Sequence, residues 1–267
     1  MTLFKLFYNS VFYEPLYNGL AFLANIVPFG DIGIAIIALT LIVKFILFPF
    51  AHKTVVTQLK MRKLEPEISA LKEKHKEDKQ EQAKKVMGLY REHGINPMSG
   101  FLMLLIQLPI IFALYKVFLN GLNFNPDDLY YFISTPENIK TSFLGIFDLT
   151  QKSYILAGFA AITQFFQMRL AAPPLAKKDS SKKGSFQDDF ARSMNIQMRY
   201  IMPLFVFFIA FKFSSAIALY WTTMNIFAIV HEILVRSKAK KMFLNGESKG
   251  DNNKNNGGNT REDDSRG

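Results

Sequence analysis

The sequence predicts an all-α polytopic membrane protein, with five transmembrane helices and a cytoplasmic helical hairpin between the first two. Three observations predict it. The 267 residues are 49% hydrophobic and 14% aromatic, and the apolar residues gather into blocks approaching the roughly 20 residues with which a helix crosses a bilayer. The charges stand in other blocks: segments 52–94, 169–199 and 236–267 hold 26 of the 32 Lys and Arg and 15 of the 22 Asp and Glu. Those segments carry +11 of the formal +10, leaving −1 elsewhere. Such segregation excludes an ordinary soluble globule.

In residues 1–31, Leu3, Phe4, Leu6, Phe7, Phe12, Tyr13, Leu16, Tyr17 and Leu20 recur at helical spacing, with Asn9, Glu14 and Asn18 between them. This predicts an amphipathic helix in the outer membrane interface. The alternative, a signal sequence, meets an apolar stretch broken by Asn and no small-residue cleavage site. The first span is placed at 32–51, interrupted by Lys44, and the second at 97–119, containing Gln107 and Pro109. The third is placed at 153–171, ahead of Pro173 and Pro174, the fourth at 197–213 and the fifth at 214–236. The fourth has only 12 core apolar residues, and crosses with help from its flanks or a thinned bilayer.

Between the first two spans, residues 52–96 are charged yet periodic. Val55, Val56, Leu59, Met61, Leu64, Ile68 and Leu71 make one narrow stripe, and Val86, Met87, Leu89 and Tyr90 a second. A polar bend at 74–82 separates them, which predicts two antiparallel helices. Residues 120–152 form an extracytoplasmic loop carrying Asp127, Asp128, Glu137 and Asp148. Residues 172–196 form a cytoplasmic loop, and 237–267 a basic tail disordered from about Asn245. Alternation of five spans puts the three basic segments on one side, so the rule that positive charge stays inside places the C-terminus in the cytoplasm and the N-terminus outside.

The chain lacks the equipment of an enzyme. It has no cysteine, and its four histidines show no metal-ligand spacing. It also has neither a GxxxxGK[ST] loop nor a GxSxG elbow. No cofactor and no DNA partner is expected.

An ionisable residue inside a span is a functional candidate. Lys44 lies six residues before Phe50, about 9 Å from the cytoplasmic end at 1.5 Å per residue. Its long stem also allows plain snorkelling to the headgroups, an equal alternative on depth alone. Thr40 shares its helix face. Gln107, Gln164, Gln167, Tyr220, Trp221, Thr222, Thr223 and Asn225 add uncharged polar groups in three further spans. Each alone is more often interhelical glue. Spread over four helices with one cation and no mid-span acid, they suggest a wet cavity attractive to acidic groups.

At these residues the sequence resembles the YidC/Oxa/Alb family of membrane protein insertases. The resemblance rests on GDIGIAIIALTLIVKFILFP in the first span and on the hairpin and second span from KMRKLEPEISALKEKHK to FLMLLIQLPIIFALYKVF. SSAIALYWTTMNIFAIVHE in the fifth completes it. It covers about residues 12–237 and implies a minimal five-span form in the bacterial cytoplasmic membrane. The helices would surround a positively charged polar groove, open to cytoplasm and lipid and closed outside, that inserts and helps fold nascent membrane proteins without an energy source. The resemblance assigns the groove's charge, usually Arg, to Lys44. It assigns the Gln of the second span to Gln107, the third-span Gln to Gln167 with Gln164 as the alternative, and the aromatic pair to Tyr220 and Trp221. Thr40 and Thr222 complete the expected groove set. Implied partners are nascent membrane proteins and the lipid bilayer, with the ribosome and the Sec translocon as further candidates; simple orientation competes with ribosome docking as the role of the basic tail. Two departures stand out. Lys replaces the five-donor Arg fork, and Ser214-Ser215-Ala216 replaces a Pro-x-Gly before the fifth span. Residues alone leave a small-solute transporter or channel and a non-catalytic assembly scaffold open. The resemblance selects the insertase.

Overall fold

Proline, glycine and aspartate set the points where the helices change direction. The computed structural model describes residues 2–119, 122–171, 193 and 196–255. Apart from Ser193 and Ile196, the expected loop at 172–196 lies outside the described residues, as does the tail after Asn255. Helix α1 (Thr2–Tyr8) runs through one π turn (Asn9–Tyr13) into α2 (Glu14–Ile26). Leu16, Tyr17, Leu20 and Ala21 of α2 are buried, whereas Leu3, Phe4, Leu6 and Phe7 of α1 are exposed. After α2, Gly30 takes φ +65°, and a Cβ there would stand 2.1 Å from the Asn138 carbonyl oxygen. Only glycine fits this crossing.

Asp31 then starts α3 (Ile32–Ile46). One carboxylate oxygen accepts from the Gly33 and Ile34 amides, capping the helix. The other accepts from the Leu144 amide at 2.7 Å. Leu144 belongs to a small β-hairpin, β1 (Ser142–Phe143) and β2 (Phe147–Asp148), in which Phe143 pairs with Phe147. Leu144 sits at φ +53°, so its hydrogen bond to Asp31 helps hold a left-handed conformation that is costly for a branched side chain.

Pro49 ends the run of α3. It falls in the first turn of α4 (Phe48–Lys63), where a missing N–H costs nothing, and the two helices meet at 65° across Leu47. The expected boundary between residues 51 and 52 therefore falls inside α4. Pro66 opens α5 (Glu65–Lys74) in the same way, and Asp78 caps α6 (Lys79–Glu92). The α5–α6 hairpin closes around Leu64, Ile68 and Ile95, with Met61, Val86, Leu89 and Tyr90 against them. Met87 is 44% exposed, because its neighbour Val86 takes the inward position and one residue is about 100° of helix rotation.

Four more helical segments complete the chain: α7 (Ser99–Leu119), α8 (Tyr154–Ala171), α9 (Met202–Lys212) and α10 (Ser215–Asn255). A π turn (Gln197–Ile201) leads into α9. α10 packs on α8 and α3, α9 on α8, α2 on α3, and α4 on α7. The helical assignment of α10 passes Asn245, where composition predicts disorder. Once nucleated in the bundle, a helix extends at little cost per residue.

The turn into α10 is made by serine. Ser215 is fully buried; its amide donates to the Gln151 carbonyl at 2.8 Å and its hydroxyl to the Asp148 carbonyl at 2.8 Å. The 122–151 loop is thus tied to the first turns of both α3 and α10.

The outward faces of the bundle are apolar. On α8, Leu156, Ala157 and Ala160 are buried while Ile155, Phe159, Ile162 and Phe166 are exposed; α7 exposes Leu105, Leu108 and Phe112, and α9 exposes Leu204, Phe205 and Phe208. Apolar surface of this extent marks contact with lipid or with another protein. Among the described residues one helical stretch, Ser215–Lys238, is long and apolar enough to cross a membrane alone. The bent pair Ile32–Ile46 and Phe48–Lys63 qualifies together, and Leu105–Leu119 is apolar but shorter.

Replacing Asp31 by Ala removes the α3 cap and strands the Leu144 amide, with an expected loss of about 2 kcal/mol. A lowered thermal midpoint of the purified protein checks this, with Asp31→Asn, which keeps one acceptor oxygen, losing less.

Candidate functional site

Three helices bring one polar side chain each to a common line. Lys44 of α3 donates from Nζ to Gln107 Oε1 of α7 at 3.0 Å, and Gln107 donates from Nε2 to the Tyr220 hydroxyl of α10 at 2.8 Å. The amide uses its acceptor on the cation and its donor on the phenol, so both ends are satisfied. Tyr220 is buried, while Lys44 and Gln107 are half-buried. Among the described residues no carboxylate pairs with Lys44. A neutral partner solvates the ammonium without cancelling it, so its positive field remains available to an incoming group.

Thr40 shares the Lys44 face of α3 but is buried, and its hydroxyl donates to the Ile36 carbonyl at 2.6 Å. Thr222 donates to the Ala218 carbonyl at 2.8 Å and Thr223 to that of Leu219 at 2.8 Å. These threonines bond to the preceding turn of their own helices. Their hydroxyls are taken up within their own helices.

Trp221 follows Tyr220 by one residue and so points elsewhere around α10. Its Nε1 donates to Gln164 Oε1 on α8 at 3.1 Å. Gln164 is buried, and its Nε2 stands 3.5 Å from Gln167 Oε1, at the limit of a hydrogen bond. One turn on, Asn225 donates to the Thr163 hydroxyl at 3.3 Å and reaches the Ala160 carbonyl at 3.4 Å. The expected residues therefore fall into two seams. Lys44, Gln107 and Tyr220 join α3, α7 and α10; Trp221, Gln164 and Gln167 join α8 and α10. Gln164, second choice from sequence, is the direct partner of Trp221.

Further polar groups meet where sequence offers no pairing signal. Arg62 of α4 donates to the Leu170 and Ala171 carbonyls, the last of α8, and Arg236 of α10 donates to the same Leu170 carbonyl. Cations suit the negative end of a helix, and here they fasten the base of the hairpin to α8 and α10. Burial, and next the neighbouring Arg236 charge, lowers the Arg62 pKa from its ordinary value. Arg236 Nε is held at 2.8 Å by buried Glu232. Beside them His52 of α4 and His231 of α10 approach to 3.4 Å between ring nitrogens, with Phe48 against His231.

Among the described residues, fold and site define a helical protein with apolar outward faces and with Lys44 partnered by a neutral amide. The family model described as 60Kd inner membrane protein matches residues 22–242. A protein of Fusobacterium nucleatum named membrane protein insertase YidC is 31% identical over 231 residues, covering 86% of this chain and 98% of that one. Membrane protein insertase YidC 2 of Bacillus anthracis is 32% identical over 248 residues, 90% of this chain and 86% of that one. The chain spans only 38% of the insertase YidC of Pelobacter propionicus, at 31% identity over 229 residues. The chain belongs to the 60Kd inner membrane protein family, the YidC/Oxa/Alb family.

Trp221 is the only tryptophan in the chain, which makes its contact with Gln164 observable. Gln164→Leu is expected to shift its fluorescence to shorter wavelength with helical circular dichroism unchanged, since the indole N–H loses its polar partner.

Proposed function

We propose that the protein is a membrane protein insertase of the bacterial cytoplasmic membrane. It inserts and helps fold nascent membrane proteins through a polar, positively charged groove around Lys44. The observation that carries this is the Lys44–Gln107–Tyr220 chain of hydrogen bonds inside a bundle with an apolar exterior. The five spans run with the N-terminus outside and the C-terminus in the cytoplasm, which sets the α5–α6 hairpin on the cytoplasmic side to meet arriving chains.

The free energy comes from the substrate. Transfer of an apolar helix of about 20 residues into lipid is favourable. Its polar flank opposes this, each charged residue costing roughly 2.5–3.5 kcal/mol or more at mid-bilayer. A groove that hydrates the flank and offers it an uncancelled ammonium lowers that barrier without altering the end states. Acidic flanks are drawn to Lys44, while the exposed apolar faces of α8 and α10 accompany the sliding helix. Short helices assist. α3 has 15 residues, about 22 Å at 1.5 Å per residue, against a hydrocarbon core of roughly 30 Å; a locally thinned bilayer shortens the crossing. The ribosome and the Sec translocon are partners this reading admits, with the basic tail reaching ribosomal RNA through phosphate contacts.

Lys44→Ala and Lys44→Glu separate this reading from a structural lysine. In liposomes carrying the purified protein, insertion of a single-span substrate with an acidic tail is expected to fall with Ala and to fall further with Glu, which repels the tail. Several substrates of differing tail charge are compared, and unchanged insertion of all of them by both variants defeats the attractive groove.

A further inference from the structure

A second polar site lies away from Lys44. A cavity of about 570 Å³ opens between the π turn, the start of α2, the end of α7 and residues 127–130 of the loop. Three carboxylates, Glu14, Asp127 and Asp128, share it with a single ammonium, Lys116. Lys116 Nζ stands 3.8 Å from the centre of the Tyr13 ring, and among the described residues it pairs with no carboxylate. The carboxylates act on the hydroxyls around them. The Tyr13 pKa is raised by burial first, then by Tyr17 and the Asp128 charge; that of Tyr130 is raised by burial and then by Glu14.

The lining selects among ligands. Among the described residues no three His, Asp or Glu stand close enough to hold a metal ion, so a bare divalent cation does not fit. The formal charge of the lining is −2, which disfavours an anionic ligand yet leaves Lys116 for one anionic group. A primary ammonium brings three N–H donors to carboxylates, whereas a quaternary one brings none. The rim borders lipid-like surface: α1 leads directly into the π turn and exposes Leu3 at 82% and Phe4 at 78%, with Leu6 and Phe7 beside them.

We propose that this cavity binds the headgroup of an aminophospholipid of the phosphatidylethanolamine type. Lys116 holds the phosphate, the Glu14 and Asp127 carboxylates hold the primary ammonium, and the acyl chains run along the exposed face of α1. The π turn contributes by widening the helix where the headgroup enters, the kind of local expansion often found at binding sites. A lipid held here braces α2 against α7. The inference rests on the reading that α1 lies in the outer membrane interface, and is independent of the role of Lys44.

The test is native mass spectrometry of the full chain in detergent, equilibrated with equal amounts of phosphatidylethanolamine, phosphatidylcholine and phosphatidylglycerol of identical acyl chains. Phosphatidylethanolamine is expected to be retained about tenfold over either competitor, the scale of one charged hydrogen bond. Glu14→Gln with Asp127→Asn is expected to abolish the preference, and Lys116→Met to lower retention of phosphatidylethanolamine, with circular dichroism and the insertion of a single-span substrate unchanged. Equal retention of the three lipids overturns the proposal. Phosphatidylcholine held as well as phosphatidylethanolamine overturns the ammonium assignment, and preference intact in the double variant overturns the site. The wild-type comparison decides even where a variant fails to fold. Because the chain has no cysteine, Glu137→Cys in intact cells reports which side the loop faces. Labelling by an impermeant maleimide from outside supports the outer placement; labelling only after lysis overturns it. Loss of insertion in Lys44→Ala leaves the lipid result standing, so the two readings fail separately.

Discussion

A lysine ammonium inside an apolar helix bundle must be solvated by something, and the structure turns on what does it. Burial of an unpaired charge costs several kcal/mol even after relaxation. A carboxylate would cancel the charge, whereas Gln107 solvates it and leaves it positive. Gln107 can do so only while its own N–H groups are satisfied, and Tyr220 accepts from one of them. One cation thereby fixes the relative placement of α3, α7 and α10. Tyr220, held on this side, leaves Trp221 to face α8 and Gln164.

The two ends of the bundle are closed by different chemistry. At one end the 122–151 loop is bound through backbone groups: Asp31 takes the Leu144 amide, Asn18 takes the Tyr130 amide and donates to the Asp128 carbonyl, and Ser215 donates to Asp148. Such contacts are short and directional, and they leave little freedom. At the other end Arg62 and Arg236 converge on the last carbonyls of α8 through long side chains. Helix α4, which leads into the hairpin, also packs on α7 and α10.

The helical class was legible because apolar and charged residues are segregated and periodic. Leu64, Ile68, Val86, Leu89 and Tyr90, read as stripes, all lie in the α5–α6 contact. Boundaries were less legible. Pro49 moved the end of α3 back to Ile46, since a proline ends one helix and opens the next with equal ease. Lys44, Gln107 and Tyr220 could each be named from sequence, where Gln167 stood ahead of Gln164; the structure sets Gln164 against the Trp221 indole. The two glutamines are three residues apart on one helix face, and only the rotation of α8 against α10 puts Gln164 on the indole. Thr40 shows the same limit: its place on the Lys44 face was readable, its hydroxyl bond to Ile36 was not.

By itself the sequence determined that apolar helices would form, that Lys44 would lie within the first of them, and that most positive charge would gather in three segments. These are properties of composition and period, and they need no knowledge of which helix touches which. Only the tertiary structure decided that Lys44 would be answered by an amide on one helix and a phenol on another, and that two arginines would cap α8. It also placed three carboxylates and Lys116 around one cavity. Glu14 stands more than a hundred residues before the other three in the chain. Contacts over such separations depend on how rigid helices pack, and local sequence carries no record of it.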